Sequence, residues 1–208
     1  MTDFLYPFIE GDERDAGSLL TDLAASSKAK AMESASLRTA TLESSADELL
    51  ATASAMRERF ELGGRLFTFG NGGSSTDATT LATLFAAPPW GHPLPAGCLV
   101  EDTAVLTALA NDVGFDLVFS RQLIAHGTAD DIALGLSTSG NSRNLLAAFG
   151  EARTQGMLTI GVAGYGGGEM AEAGLDHCLV VRSDSVHRIQ ESQAALCFEL
   201  WSEVQGAC

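Results

Sequence analysis

From Gly63 onward, the chain alternates short apolar segments with stretches of helical composition. Each apolar segment is five to seven residues long, and such runs are typical of parallel strands that helices cover on both faces. The segments are 65–70, 97–101, 131–137, 158–164 and 177–182. The alternation predicts a doubly wound, three-layer α/β/α domain with a parallel sheet of five strands, in which ligands bind at the carboxyl ends of the strands.

Residues 1–62 have a different composition, rich in Ala, Ser, Glu and Leu, with no strand-like run. Apolar side chains recur there at helical spacing and form one stripe: Leu42, Ala46, Leu49, Leu50, Ala53, Met56 and Phe60. An amphipathic helix outside a sheet domain needs a partner for its apolar stripe. We therefore predict an N-terminal helical segment over 1–62 that packs in an oligomer bundle, followed by a ligand-binding domain over 63–208.

Charge and composition exclude several classes of function. The net charge of −15 disfavours direct binding of nucleic acid, which depends on neutralising phosphates with Lys and Arg. No apolar run reaches the roughly 18 residues of a membrane span, and the N-terminal stretch carries acids where a secretory signal would carry lysines. The four cysteines form no metal-binding spacing. The chain is expected to be cytoplasmic and to have no membrane partner.

Two loops that follow strand ends carry glycines and hydroxyl side chains. The first contains Asn71, Gly72, Gly73 and Ser74, and the second contains Ser137, Thr138, Ser139 and Ser142. Glycines let the backbone approach an anion, and the amides of the helix that follows point at it. Either loop alone is common as an ordinary helix cap. Together, at two strand ends of one sheet, they predict a phosphate site, and neither matches a nucleotide-binding motif.

Five motifs, in order and spacing, resemble the phosphoheptose isomerase family of sugar isomerase (SIS) domain proteins. They are GNGGSSTDA, ANDVGFDLVFSRQL, STSGNSRNLLAAFGEARTQGM, GYGGGEMA and RIQES. The resemblance covers the chain from about residue 36 to the end. It implies a flavodoxin-like SIS domain, a homotetramer or homodimer built around a helical bundle, and a sugar phosphate ligand similar to sedoheptulose 7-phosphate. It also implies substrate contacts from Asn71, Gly72, Gly73, Asn111, Asp112, Ser137, Thr138, Ser139, Ser142 and Gln190.

The resemblance fails at the positions that carry the chemistry. In the family, a His and a Glu four residues apart follow the first loop, a Gln and a His eight apart lie on the last helix, and these four groups transfer protons and bind zinc. Aligned without gaps, this chain has Thr80 and Leu84 for the first pair, and it keeps Gln190 but has Phe198 for the last His. Leucine transfers no proton and phenylalanine binds no zinc. We therefore predict no metal and no cofactor.

Three functions remain open. The first is a phosphosugar-binding protein that lacks the isomerase machinery and acts as a sensor or assembly partner. The acidic N-terminal residues are compatible with a basic protein partner. The second is an active isomerase with a rebuilt site that uses His187, which precedes Gln190 by three residues and belongs to a residue type suited to base catalysis near neutral pH. The third is a binding module whose pocket is vestigial. We expect the first.

Overall fold

The computed structural model describes residues 16–206, so the part of the N-terminal prediction on residues 1–15 lies outside it. The helices are α1 Ala16–Ser44, α2 Ala46–Glu61, α3 Gly73–Ala86, α4 Thr103–Asp112, α5 Val118–His126, α6 Arg143–Gln155, α7 Gly168–Glu172 and α8 Val186–Val204. The strands are β1 Leu66–Gly70, β2 Ala96–Cys98, β3 Ile132–Ser137, β4 Leu158–Gly164 and β5 His177–Val181, and a 3-10 turn spans Phe115–Leu117.

The five strands form one parallel sheet in the order β2-β1-β3-β4-β5. The prediction of a three-layer α/β fold with a five-stranded parallel sheet is confirmed. The winding direction reverses between β1 and β3, because β1 pairs with β2 on one side and with β3 on the other. Such a reversal opens a crevice at the carboxyl edge of the sheet, where open α/β folds bind their ligands.

Hydrophobic side chains on the two faces of the sheet form two core clusters. Alternate residues of β3 supply both, because successive side chains of a strand point to opposite faces. Leu134 and Leu136 join the cluster that α2, α3 and α8 cover. Ala133 joins the cluster that α5 and α6 cover, and a Cβ on the neighbouring Gly135 would overlap the rings of Phe149 and Phe69. The strand is therefore buried along its whole length.

Contacts divide the chain into residues 1–36 and residues 37–208. In the second unit, α2 packs against α8 and β5, and the α2 residues Leu49 and Met56 lie in the hydrophobic core. The apolar stripe of α2 therefore has its partner in the sheet domain, and the domain boundary expected between residues 62 and 63 stays a prediction. Packing of the N-terminal segment in an oligomer bundle stays a prediction.

The helical stripe predicted over residues 42–60 is interrupted in the structure. Ser45 separates α1 from α2 and serves as the N-cap of α2, so the stripe is shared between two helices. Leu50 is 50 % exposed rather than buried. Within residues 16–206, no helix combines the length and apolar character needed to cross a membrane.

Asp131 organises the amino edge of the sheet, at the opposite end from the predicted phosphate loops. Its Oδ1 accepts a hydrogen bond from the backbone N–H of Arg65 at 2.7 Å, and its Oδ2 accepts one from the backbone N–H of Thr128 at 2.9 Å. The Arg65 guanidinium completes the arrangement with an ion pair of 3.1 Å. The carboxylate thus holds the residues that precede β1 and β3 together.

Candidate functional site

The two predicted phosphate loops lie side by side at the carboxyl edge of the sheet. The first follows β1, the second follows β3, and these strands are neighbours whose ends pair Gly70 with Leu136. Helix α3 begins at Gly73 and helix α6 begins at Arg143, so two helix N-termini meet at the crevice where the winding reverses. Unpaired amides and the helix dipole make each N-terminus attractive to an anion.

The first loop is shaped by its glycines. Gly72, the N-cap of α3, has φ 55° and ψ −124°, a backbone conformation that side chains other than glycine rarely tolerate. A Cβ on Gly73 would overlap the side-chain amide of Gln190 on α8. Ser74 is 4 % exposed, and its backbone N–H donates to the carbonyl of Asn71 at 3.1 Å. Backbone groups, rather than the Ser74 hydroxyl, therefore form the open surface of this loop.

The second loop gathers three hydroxyl groups. The Ser137 Oγ lies 3.4 Å from the Ser139 Oγ and 3.2 Å from the Ser142 Oγ. The backbone N–H of Gly140 donates to the Ser137 Oγ at 3.1 Å, which fixes that hydroxyl in the middle of the group. Thr138 lies in the same loop and is half-buried. Converging hydroxyls that share protons in this way are suited to donate to the oxygens of one phosphate.

Asn71 and Asn144 join the two loops directly. The Asn71 Nδ2 donates to the Asn144 Oδ1 at 2.9 Å, and the Asn144 Nδ2 donates to the Asn71 Oδ1 at 2.9 Å. Asn144, in the first turn of α6, is 2 % exposed. Our reading of the sequence missed Asn144, because an Asn near a helix start looks like an ordinary cap residue. The position of Asn144 three residues after Asn141, in the stretch that links β3 to α6, was the available signal.

Helix α8 forms a third wall of the crevice. Gln190 reaches the backbone of Gly73, as described above. Gln193 is fully buried and its Nε2 donates to the carbonyls of Val162 at 3.1 Å and Ser137 at 3.4 Å, at the ends of β4 and β3. His187 lies in the first turn of α8 and is exposed. The structure therefore brings Gln190 next to the first loop, with His187 one turn before it.

Asn111 and Asp112 occupy the last two positions of α4. Both are exposed, and the Asn111 Nδ2 donates to the Asp112 Oδ1 at 2.7 Å. Helix α4 packs against the 3-10 turn and α5, on the face of the sheet opposite α3 and α8. These two residues come from a different layer than the α3 and α8 residues, and their predicted role as ligand contacts stays a prediction.

The positions where the family carries its catalytic groups lie on α3 and α8. The Thr80 hydroxyl is occupied, since its Oγ1 donates to the carbonyl of Thr76 at 2.9 Å. Leu84 packs against the hydrophobic core. Phe198 is 46 % exposed and its ring lies 5.4 Å from that of Trp201, which in turn lies 4.5 Å from Trp90. Phe198 therefore belongs to an aromatic cluster with Trp201 and Trp90.

Two ionisable groups between α3 and α8 are shifted toward their neutral forms. Burial raises the pKa of Asp77, and burial, reinforced by the nearby Asp77 carboxylate, raises the pKa of the Cys197 thiol to about 12. A thiol with such a pKa is neither a nucleophile nor a metal ligand near neutral pH. Across residues 16–206, no three His, Cys, Asp or Glu side chains cluster in a way that would hold a metal ion.

Comparisons with known proteins agree with this architecture. The SIS domain family profile matches residues 31–164. A phosphoheptose isomerase from a Roseiflexus species is 42% identical over 73% of this chain and 77% of its own length, and one from Rhodospirillum rubrum is 44% identical over 70% and 78%. The solved structure of a phosphoheptose isomerase from Neisseria gonorrhoeae has a TM-score of 0.82 and 34% identity, and the match covers 88% of this chain and 98% of that one. The chain belongs to the phosphoheptose isomerase family of SIS-domain proteins.

Proposed function

We propose that the protein binds a sugar phosphate at the crevice between the β1 and β3 loops, lacks the isomerase machinery of its family, and acts as a sensor or assembly partner. One observation carries the proposal. The hydroxyl groups of the second loop gather at the sheet edge that also carries the helix start at Gly73, whereas Leu84 and Phe198 present hydrocarbon at positions where the family has proton carriers and metal ligands.

Phosphate binding rests on local donors. The chain has a net charge of −15, so its overall electrostatic field repels an anionic ligand. Hydrogen-bond donors close to the ligand therefore have to outweigh this repulsion. The two helix N-termini and the hydroxyls of Ser137, Ser139 and Ser142 supply donors of this kind. Gln190, which lies against Gly73, is available to a hydroxyl group of the sugar. These contacts favour a phosphate ester with a polyhydroxyl chain.

Loss of turnover follows from the chemistry of isomerisation. Moving a proton between adjacent carbons requires a base and a group that shuttles the hydroxyl proton. Leu84 supplies neither, and the Thr80 hydroxyl, which donates to the Thr76 carbonyl, is not a base of the kind that this step needs. A missing base alone costs about 10²–10⁴ in rate, or roughly 3–5 kcal/mol of barrier. The family's route is therefore closed in this chain.

The zinc of the family has no suitable ligands here. Zinc in proteins takes thiolate, imidazole or carboxylate ligands. The four corresponding positions of this chain provide one hydroxyl, one side-chain amide and two hydrocarbon groups, from Thr80, Gln190, Leu84 and Phe198. This donor set does not fit zinc, and the protein works without metal and without another cofactor.

The names of the relatives indicate which class of sugar phosphate the protein binds. Both curated relatives described above are named phosphoheptose isomerases, so the ligand belongs to the class of sedoheptulose 7-phosphate. As a sensor or assembly partner, the protein acts in the cytoplasm as a homotetramer or homodimer, and ligand occupancy changes its contacts with a protein partner. Direct contact with nucleic acid is opposed by its charge.

An active isomerase with a rebuilt site is the alternative. Its support is the position of His187, which is exposed in the first turn of α8 and precedes Gln190 by three residues. Residues three apart on a helix share a face. Because Gln190 lies against the first loop, this shared face supports contact between the His187 imidazole and a ligand in the crevice, and a role for His187 as a base.

Calorimetric titration and NMR separate these functions. Sedoheptulose 7-phosphate should bind with measurable heat, sedoheptulose without phosphate should not, and no ketose-to-aldose conversion should appear in the NMR spectrum with or without added zinc. Ser139→Ala should weaken binding, whereas Thr154→Ala, at the far end of α6, should not. Turnover that disappears in His187→Ala would establish the alternative. Absence of binding by a panel of sugar phosphates would reject the proposal.

A further inference from the structure

We infer that Asn144 is a positioning residue, which fixes the β1 loop to the β3 loop so that the anion donors of both act as one site. The part of this inference that concerns ligand affinity rests on the proposed function. The part that concerns the coupling of the loops does not depend on any ligand. Asn144 is absent from the residues that the family resemblance marks as substrate contacts.

The geometry of the pair supports a structural tie between distant parts of the chain. Asn71 and Asn144 are 73 residues apart in sequence, and their side-chain amides exchange two hydrogen bonds of 2.9 Å. The pairing is reciprocal, so turning both amides by 180° leaves both bonds in place. Asn144 is 2 % exposed, which shields the pair from competing water and makes an unpaired amide there costly.

The pair also determines which hydrogen-bonding groups of the Asn71 amide remain available to a ligand. A side-chain amide has two N–H donors and one carbonyl oxygen with two lone pairs. The exchange with Asn144 uses one donor and one lone pair of Asn71, so one N–H and one lone pair of Asn71 stay available in the plane that the pair fixes. Asn144 thus acts on a ligand through Asn71 rather than by contact with it.

The two helix N-termini at the site oppose each other weakly when no anion is bound. Helices α3 and α6 begin at Gly73 and Arg143, and both helix N-termini carry partial positive charge. Bringing them to one point favours a bound anion but is unfavourable when no anion is present. The amide pair offsets this repulsion with two hydrogen bonds, and it keeps the site assembled before a ligand arrives.

Hydrogen exchange on the full-length protein without ligand tests the coupling. In Asn144→Ala, amides of residues 71–75 should exchange about 5- to 30-fold faster than in the wild type, since one or two hydrogen bonds of about 1 kcal/mol each are lost. Thr154→Ala, on the surface of the same helix, should leave residues 71–75 unchanged. Faster exchange confined to residues 142–148 would overturn the inference, because it would show that Asn144 supports only its own helix.

A second variant separates loss of the hydrogen-bonded pair from the cavity that Asn144→Ala creates. Asn144→Asp has nearly the same shape, accepts one bond from the Asn71 Nδ2, and sets a carboxylate oxygen against the Asn71 Oδ1. Exchange at residues 71–75 should again rise. Wild-type protection in Asn144→Asp, together with loss in Asn144→Ala, would mean that volume rather than pairing matters, and this would also overturn the inference.

A double-mutant cycle in affinity for sedoheptulose 7-phosphate tests the consequence for binding. Asn144→Ala should weaken binding about tenfold, and adding it to Asn71→Ala should cause little further loss, because the two residues act as a unit. Independent, multiplying losses would contradict positioning through Asn71. If the wild type binds no sugar phosphate, the proposed function fails, and the exchange experiment alone decides whether Asn144 couples the loops.

Discussion

Replacing Asp131 by Asn should destabilise the protein without altering the candidate site. Asp131 is 1 % exposed and lies at the edge of the sheet opposite the two loops. One carboxylate oxygen accepts from the backbone N–H of Arg65 and the other from that of Thr128. An asparagine keeps only one oxygen, so in either orientation its NH2 group faces one of these donors.

The magnitude follows from the contacts that are lost. A hydrogen bond to a charged group contributes about 1.5–3 kcal/mol, and a buried donor without a partner costs about 1–3 kcal/mol. The Arg65 side chain is 45% exposed, so its ion pair adds less than about 1 kcal/mol. We expect a loss of about 3 kcal/mol in the free energy of unfolding, which lowers Tm by about 6–12 °C for a chain of this size.

The effect should also depend on pH. Burial raises the pKa of Asp131, but hydrogen bonds from Arg65 and Thr128 outweigh burial and hold the pKa below the usual value of an aspartate. A carboxyl group with a depressed folded pKa stabilises the protein above its unfolded pKa of about 3.9, and this contribution is lost as pH falls through the folded pKa. The difference between wild type and Asp131→Asn should therefore be full at neutral pH and shrink below about pH 4.

Urea unfolding followed by circular dichroism, at one protein concentration, measures this difference. Asp130→Asn is the matched control, since it makes the same charge change at a neighbouring exposed position and should alter stability by no more than about 0.5 kcal/mol. A loss below about 1 kcal/mol at pH 7 in Asp131→Asn, or an equal loss in both variants, would refute the account of the Asp131 hydrogen bonds.

Three further outcomes are expected. Gly150→Ala should raise Tm by about 2–4 °C in calorimetry, because alanine favours a helix by about 1 kcal/mol over glycine. Gly150 lies inside α6, and the space around an added Cβ is open. A lower Tm would contradict that geometry. Cys197 should resist iodoacetamide at about pH 8, since burial raises its pKa to about 12, and mass spectrometry showing fast native-state labelling would contradict its packing. The triple variant Thr80→His, Leu84→Glu and Phe198→His should gain zinc binding against a chromogenic chelator, and no gain over the wild type would show that these positions do not converge.

Most of the sheet could be predicted from the sequence because parallel strands covered on both faces must be apolar along their whole length. Segment 158–164 matches β4 without change, whereas 97–101 shares only Gly97 and Cys98 with β2, which spans Ala96–Cys98. An edge strand has one neighbour, so apolar residues such as Leu99 continue into the core after the ladder ends. The break at Ser45 was not predictable from periodicity, because the apolar spacing continues through it.

Only those parts of the candidate site that depend on local sequence patterns could be predicted. Glycines and hydroxyls after strand ends marked both loops, since their role depends on backbone and helix geometry that the sequence encodes locally. The reciprocal pair of Asn71 and Asn144, and the position of Gln193 under the ends of β3 and β4, depend on elements that meet only in the folded chain. A polar residue in a helix that faces such a junction cannot be told from a solvated one by spacing.

The aromatic cluster has a consequence for spectroscopy. The chain contains two tryptophans, and both belong to this cluster, with ring centroids 4.5 Å apart. At that separation excitation energy passes readily from one indole to the other. Trp90 is 41% exposed while Trp201 is buried. A dissolved quencher that collides with Trp90 therefore also lowers the fluorescence of Trp201. The fluorescence of this protein is therefore a local signal, and it reports on the C-terminal half of α8.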